Sequence, residues 1–146
     1  MPIINEKESN MEKDYEKIIN LYSKLPKDLG STIKAHRNHL KISQETLSEL
    51  SKINQFTISR IESGIVKVPK FETLVAIMVG MNLHYVFIED ILGKSGYMGV
   101  LYPTNIGNNK EYIVYLDILI KAQYLTIDEC NNILKKNGID PVIDIK

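Results

Sequence analysis

The chain has 146 residues, 44% hydrophobic and 25% charged, a balance that fits a folded soluble protein and leaves room for one ordinary domain or a small domain with an appendage. Its one cysteine, Cys130, excludes an internal disulfide and a cysteine-based zinc site; with Asp128 and Glu129 beside it, it reads as a small buried hydrophobe in a reducing compartment rather than a reactive thiol. The formal net charge is zero but unevenly spread: residues 27–74 hold eight Lys and Arg against five acids, giving +3, whereas residues 1–26 come to −1 and residues 75–146 to −2.

Residues 1–10 are polar and acidic, unlike a secretory leader, and the most apolar run, residues 74–81, falls far short of the ~20 residues a membrane span requires. A cytoplasmic chain with no membrane partner is expected. In residues 9–25, Tyr15, Ile18, Ile19, Tyr22 and Leu25 recur at helical spacing, which predicts an amphipathic helix packing that face on the rest of the chain or on a partner subunit. Glu12, Asp14 and Glu16 make it a poor arm for phosphate. Pro26 and Asp28 end this helix and start another, in which Leu29, Ile33, Arg37 and Leu40 form one stripe. His36 and His39, three apart, share a face. A metal would need a third ligand, and only His84 and scattered carboxylates remain, so no metal site is expected and both histidines read as surface side chains.

Residues 43–64 parse as helix, tight turn, helix. Ser43 is a good N-cap, and Leu47, Leu50 and Ser51 fall three and four apart behind it. Lys52 and Ile53 carry the turn. Asn54 caps a second helix, residues 55–63, whose Ile58 and Ile61 point one way before Gly64 stops it. Gln55, Phe56, Ser59 and Arg60 point the other way, so amide, ring, hydroxyl and guanidinium groups share the outer face. These are base-edge chemistries: Gln pairs with adenine N6 and N7, Arg with guanine O6 and N7, and an apolar ring rests on a thymine methyl. An ordinary solvated helix face would carry Lys and Glu instead.

The loop 65–70 holds Lys67 and Lys70, and Pro69 opens a helix over residues 71–81 that is apolar on every side and therefore calls for cover all round. Residues 83–92 predict a further helix with Val86, Phe87 and Leu92 inside. Three glycines in residues 93–99 read as a boundary, and residues 97–109 as irregular chain. Two helices follow, residues 110–122 and a last one begun by the Thr126–Glu129 capping box and ended by Gly138. They form a helical hairpin, assigned to dimerisation or to covering the apolar helix.

The Gln44 start, the run Thr57-Ile58-Ser59-Arg60-Ile61-Glu62, Gly64, and Pro69-Lys70-Phe71 together resemble the Cro and lambda-repressor-like, XRE-type helix-turn-helix regulators, across roughly a third to a half of the chain. Lys52 stands where that family often has Gly, at a left-handed turn position costing a Lys about 1 kcal/mol, and Ser48 where Ala is usual. The resemblance implies an all-α fold: a five-helix DNA-binding domain over residues 27–92, an N-terminal helical extension over 1–26, and a linker with the hairpin over 93–146. It also implies a structural ion pair between Arg37 and Glu62, base contacts from Gln55, Phe56, Ser59 and Arg60, and phosphate contacts from Gln44, Asn54, Lys67 and Lys70, with His36 and His39 near the phosphate backbone. The expected activity is that of a sequence-specific, homodimeric repressor of transcription on double-stranded DNA. The alternative is a protein-binding module, such as a toxin-neutralising antitoxin or adaptor, working through its hairpin or its N-terminal helix and able to regulate its own gene. No phosphate-binding glycine loop, catalytic pairing or cofactor site is visible, so neither an enzyme nor a cofactor is expected.

Overall fold

The computed structural model describes residues 6–100 and 109–142, with side chains from Asp14 onward. It is all-helical among these residues: α1 Glu6–Ser23, α2 Leu29–His39, α3 Gln44–Ser51, α4 Gln55–Glu62, α5 Phe71–Gly80, α6 Tyr85–Ser95, α7 Lys110–Lys121 and α8 Ile127–Lys136, with single 3-10 turns at Met98–Val100 and Ala122–Tyr124. None of the described helices is long and apolar enough to cross a membrane.

The helix starts are set by side chains that satisfy otherwise orphaned N–H groups. Asp28 accepts from Ser31 N at 2.9 Å, Ser43 from Thr46 N at 3.0 Å and Asn54 from Phe56 N at 2.8 Å. At α8 the Thr126 hydroxyl accepts from Glu129 N and the Glu129 carboxylate from Thr126 N, both at 3.1 Å. His84, rather than Leu83, caps α6, its Nδ1 accepting from Val86 N at 3.2 Å, so Leu83 becomes a buried loop residue.

Helix α5 is the axis of the molecule. Every residue from Leu74 to Gly80 is buried, because α3 packs on one side of it and α8 with the Ala122–Tyr124 turn on another. Helices α2 to α4 and the C-terminal hairpin of α7 and α8 therefore share one continuous apolar core, running from Leu29 and Ile33 through Ile77 and Met78 to Ile118 and Leu134. Two asparagines tie the hairpin down. Asn82, held at φ 49°, donates from its amide to Ala122 O at 3.0 Å and Leu125 O at 2.7 Å. Buried Asn131 accepts from Val142 N at 2.8 Å and so pins the segment after α8.

Several expected faces are turned. In α1, Ile18 and Leu21 pack on the core, as does Leu25 just beyond its end, while Tyr15, Ile19 and Tyr22 are exposed. The apolar residues of this helix spread over more than one stripe, and packing selects one. Leu40 and Leu50, expected inside, are 43% and 45% exposed: α2 stops at His39, so Leu40 leaves the stripe, and Leu50 lies one residue off the Leu47–Ser51 line. His36 is not a surface side chain. It is 1% exposed with its ring edge-on to Phe87 at 4.7 Å, because α6 crosses α2 over the Ile33–His36 face, and burial pushes its pKa down to about 4. His39 is exposed. Helix α6 runs through Gly93 and ends only at Gly96, whose φ of 84° gives the left-handed cap. Of the stretch expected to be irregular, Met98–Val100 is a 3-10 turn and residues 101–108 lie outside the described residues, as does the side chain of Glu12.

Candidate nucleic-acid interface

Helix α4 is anchored from behind by Ile58 and Ile61, at 0% and 1% exposure. Its C-terminal turn lies directly on α2, where Gly30 faces the backbone: a Cβ there would sit against Ile61 O and 2.8 Å from Glu62 O. Only the smallest residue allows that approach.

The turn between α3 and α4 is left-handed at Lys52, φ 60° and ψ 21°. Hydroxyl groups brace it: Ser48 Oγ donates to Ile53 O at 2.6 Å, and Ser51 Oγ donates to Leu47 O at 2.7 Å while accepting from Ile53 N at 3.2 Å. An Ala at position 48 would leave Ile53 O without that donor, so the serine offsets part of the strain at the lysine.

Below the turn lies a buried charged network. Arg37 Nε and Nη2 donate to the two Glu62 carboxylate oxygens at 2.8 Å each, and Nη1 donates to Ile42 O at 3.0 Å. The Glu62 partner holds the Arg37 pKa above its ordinary value. Gln44, half-buried at the start of α3, donates to Glu62 Oε1 at 3.1 Å. One carboxylate thus locks α2, the start of α3 and the end of α4 into a single unit.

The outer face of α4 presents Gln55, Phe56 and Arg60 to solvent, with Ser59 half-buried beside them. Phe56 is 66% exposed, and the Arg60 guanidinium lies 5.3 Å from its ring centroid. This cation–π contact extends the guanidinium along the helix surface instead of leaving it free to roam. Asn54 is exposed at the N-cap; its carbonyl end is used for capping, which leaves its amide donors outward. Lys67 and Lys70 are exposed in the loop that follows. The same loop exposes Ile65 and Val68, at 66% and 67%, which the sequence reading passed over. The signal available was two apolar side chains alternating with lysines in a loop with little to bury them.

Residues 33–88 match the helix-turn-helix family. Comparison with curated proteins and with solved structures gives no match.

Proposed function

Since residues 33–88 are an XRE-type, Cro/lambda-repressor-like helix-turn-helix domain, we propose that the chain is a sequence-specific, homodimeric repressor that reads the major groove of DNA with α4. The observation that carries this reading is the division of α4 into a back of fully buried isoleucines and a front of exposed Gln55, Phe56 and Arg60. Gln55 and Arg60 read purine edges, Phe56 takes a thymine methyl, and Ser59 adds a hydroxyl. Gln44, Asn54, Lys67 and Lys70 contact phosphates and set register without choosing sequence. Residues 27–92 form the reading domain, residues 1–26 an extension, and residues 93–146 the dimerisation part.

The hairpin supports pairing by its outer surface, where Ile113, Ile120 and Tyr124 are 52%, 55% and 79% exposed, an apolar stripe that a second copy can cover. Two subunits would then read half-sites about one helical turn, ~34 Å, apart. Such a protein works in the cytoplasm. The test is selection of bound sites from random duplex DNA with the full chain. Enrichment of a two-fold symmetric site with that spacing is expected; no enrichment over input sinks the reading, and a single asymmetric half-site leaves the DNA contacts standing but removes the dimer.

A further inference from the structure

A cleft of about 380 Å³ opens where α1, α2 and the turn between α5 and α6 meet. Its walls are mainly apolar, with Ile18 and Leu21 from α1, Leu40 just beyond α2 and Phe87 from α6. Asp14 and Lys17, both exposed, stand at the rim with opposite charges that cancel. His36 is part of the wall. It is 1% exposed, its ring is held edge-on to Phe87, and its Nε2 is a buried atom with no hydrogen-bond partner among the described residues.

A buried polar atom without a partner forgoes a hydrogen bond, and in the wall of a cleft a ligand can supply the missing one. Burial keeps this imidazole uncharged at neutral pH, so its Nε2 accepts in one tautomer and donates in the other. A hydroxyl suits both cases, because it carries a donor and an acceptor, whereas a carboxylate only accepts and an ammonium only donates. A charged ligand would also lose its hydration against walls that give no net charge in return. His84, another wall residue, accepts from Val86 N through Nδ1, which leaves its own proton on Nε2 as a donor to a hydroxyl oxygen. His39 lines the cleft as well, yet no group of three His, Cys, Asp or Glu among the described residues is arranged to hold a metal ion. The volume lies within the range of small-molecule sites, and a few polar groups among apolar walls are typical of them.

We propose that this cleft binds a small uncharged alcohol or phenol, its apolar body against Ile18, Leu21, Leu40 and Phe87 and its hydroxyl bonded to His36 Nε2. The site uses none of the residues on the outer face of α4, and its existence does not depend on how DNA is read. Fluorescence titration of the full chain with 2-naphthol, without DNA, tests it, with naphthalene and 2-naphthoate as controls that lack the hydroxyl or carry a charge. Saturable binding of one 2-naphthol per chain is expected, with naphthalene and 2-naphthoate each about tenfold weaker. His36→Phe should lower 2-naphthol to the level of naphthalene and leave naphthalene unchanged, which a mere loss of packing would not do. Leu40 is 43% exposed, so Leu40→Glu tests the cleft even if His36→Phe is unstable. A carboxylate in that wall should weaken 2-naphthol about tenfold or more. No saturable 2-naphthol binding, equal affinity for naphthalene, preference for 2-naphthoate through Lys17, or undiminished binding in Leu40→Glu overturns the proposal.

Discussion

The Arg60 guanidinium stacks on Phe56 at 5.3 Å in the free protein, and under the proposed reading that arrangement limits the rotamer freedom lost on pairing with a base. Gln55→Ala or Arg60→Ala should cost about 1–3 kcal/mol on the preferred site and relax the base preference there, while Lys70→Ala should weaken every sequence alike. Binding assays on specific and random duplexes check this, and equal losses from all three substitutions would refute the division of roles. His36 makes a different prediction. Its folded pKa of about 4 lies below the 6.5 of an unfolded chain, so between those values the unfolded state binds the extra proton. The stability that goes with a neutral His36 is fully present above pH 6.5 and is lost as pH falls toward 4, with a slope of about 1.4 kcal/mol per pH unit over that window. Urea unfolding at stepped pH should show the slope in the wild type and a shallower one in His36→Leu.

At the scale of elements, the most sensitive joint is α2 against α4. Gly30→Ala would push a methyl into the backbone of Ile61 and Glu62, and Glu62→Ala would leave the Arg37 guanidinium buried without its carboxylate. Each should lower unfolding free energy by about 3 kcal/mol or more, measured by chemical denaturation. The helix-turn-helix segment was readable in the sequence because its information is local: Ser43 and Asn54 are caps, Ile58 and Ile61 are three apart, Gly64 adopts φ 83°. The all-helical class and the burial of α5 followed from the same kind of pattern. What periodicity could not supply is which neighbour a face meets. In α1 and just after it, apolar residues occupy positions 15, 18, 19, 21, 22 and 25, enough for more than one inward face, and only contact with the core decides for Ile18, Leu21 and Leu25. His36 went astray for the same reason, since a polar side chain carries no sign that Phe87 will cover it. The ties made by Asn82 and Asn131 span 40 to 43 and 11 residues of sequence, beyond any local rule. In the candidate site, the exposure of Gln55, Phe56 and Arg60 needed only helical geometry, whereas the bond from Gln44 to Glu62 joins the start of α3 to the end of α4 across 18 residues and had no local signature.

For the whole molecule, the uneven charge predicts strong salt dependence. Of the four phosphate-contacting residues proposed per subunit, Lys67 and Lys70 carry charge, so a pair neutralises about four phosphates, and affinity should fall roughly 10²-fold between about 50 and 200 mM salt. A flat response in a filter-binding series would contradict backbone contact on that scale. Meanwhile the carboxylates that outnumber cations after residue 75 keep the opposite end from sticking to DNA at random.

The enclosure of α5 also limits how the protein can be cut up. A headpiece ending at residue 92 would strip α8 and the Ala122–Tyr124 turn from a rod whose Leu74 to Gly80 are all buried, baring greasy surface that water does not tolerate. Such a fragment should clump or melt near room temperature in a turbidity scan while the full chain stays clear, so the shortest piece that folds must keep its tail.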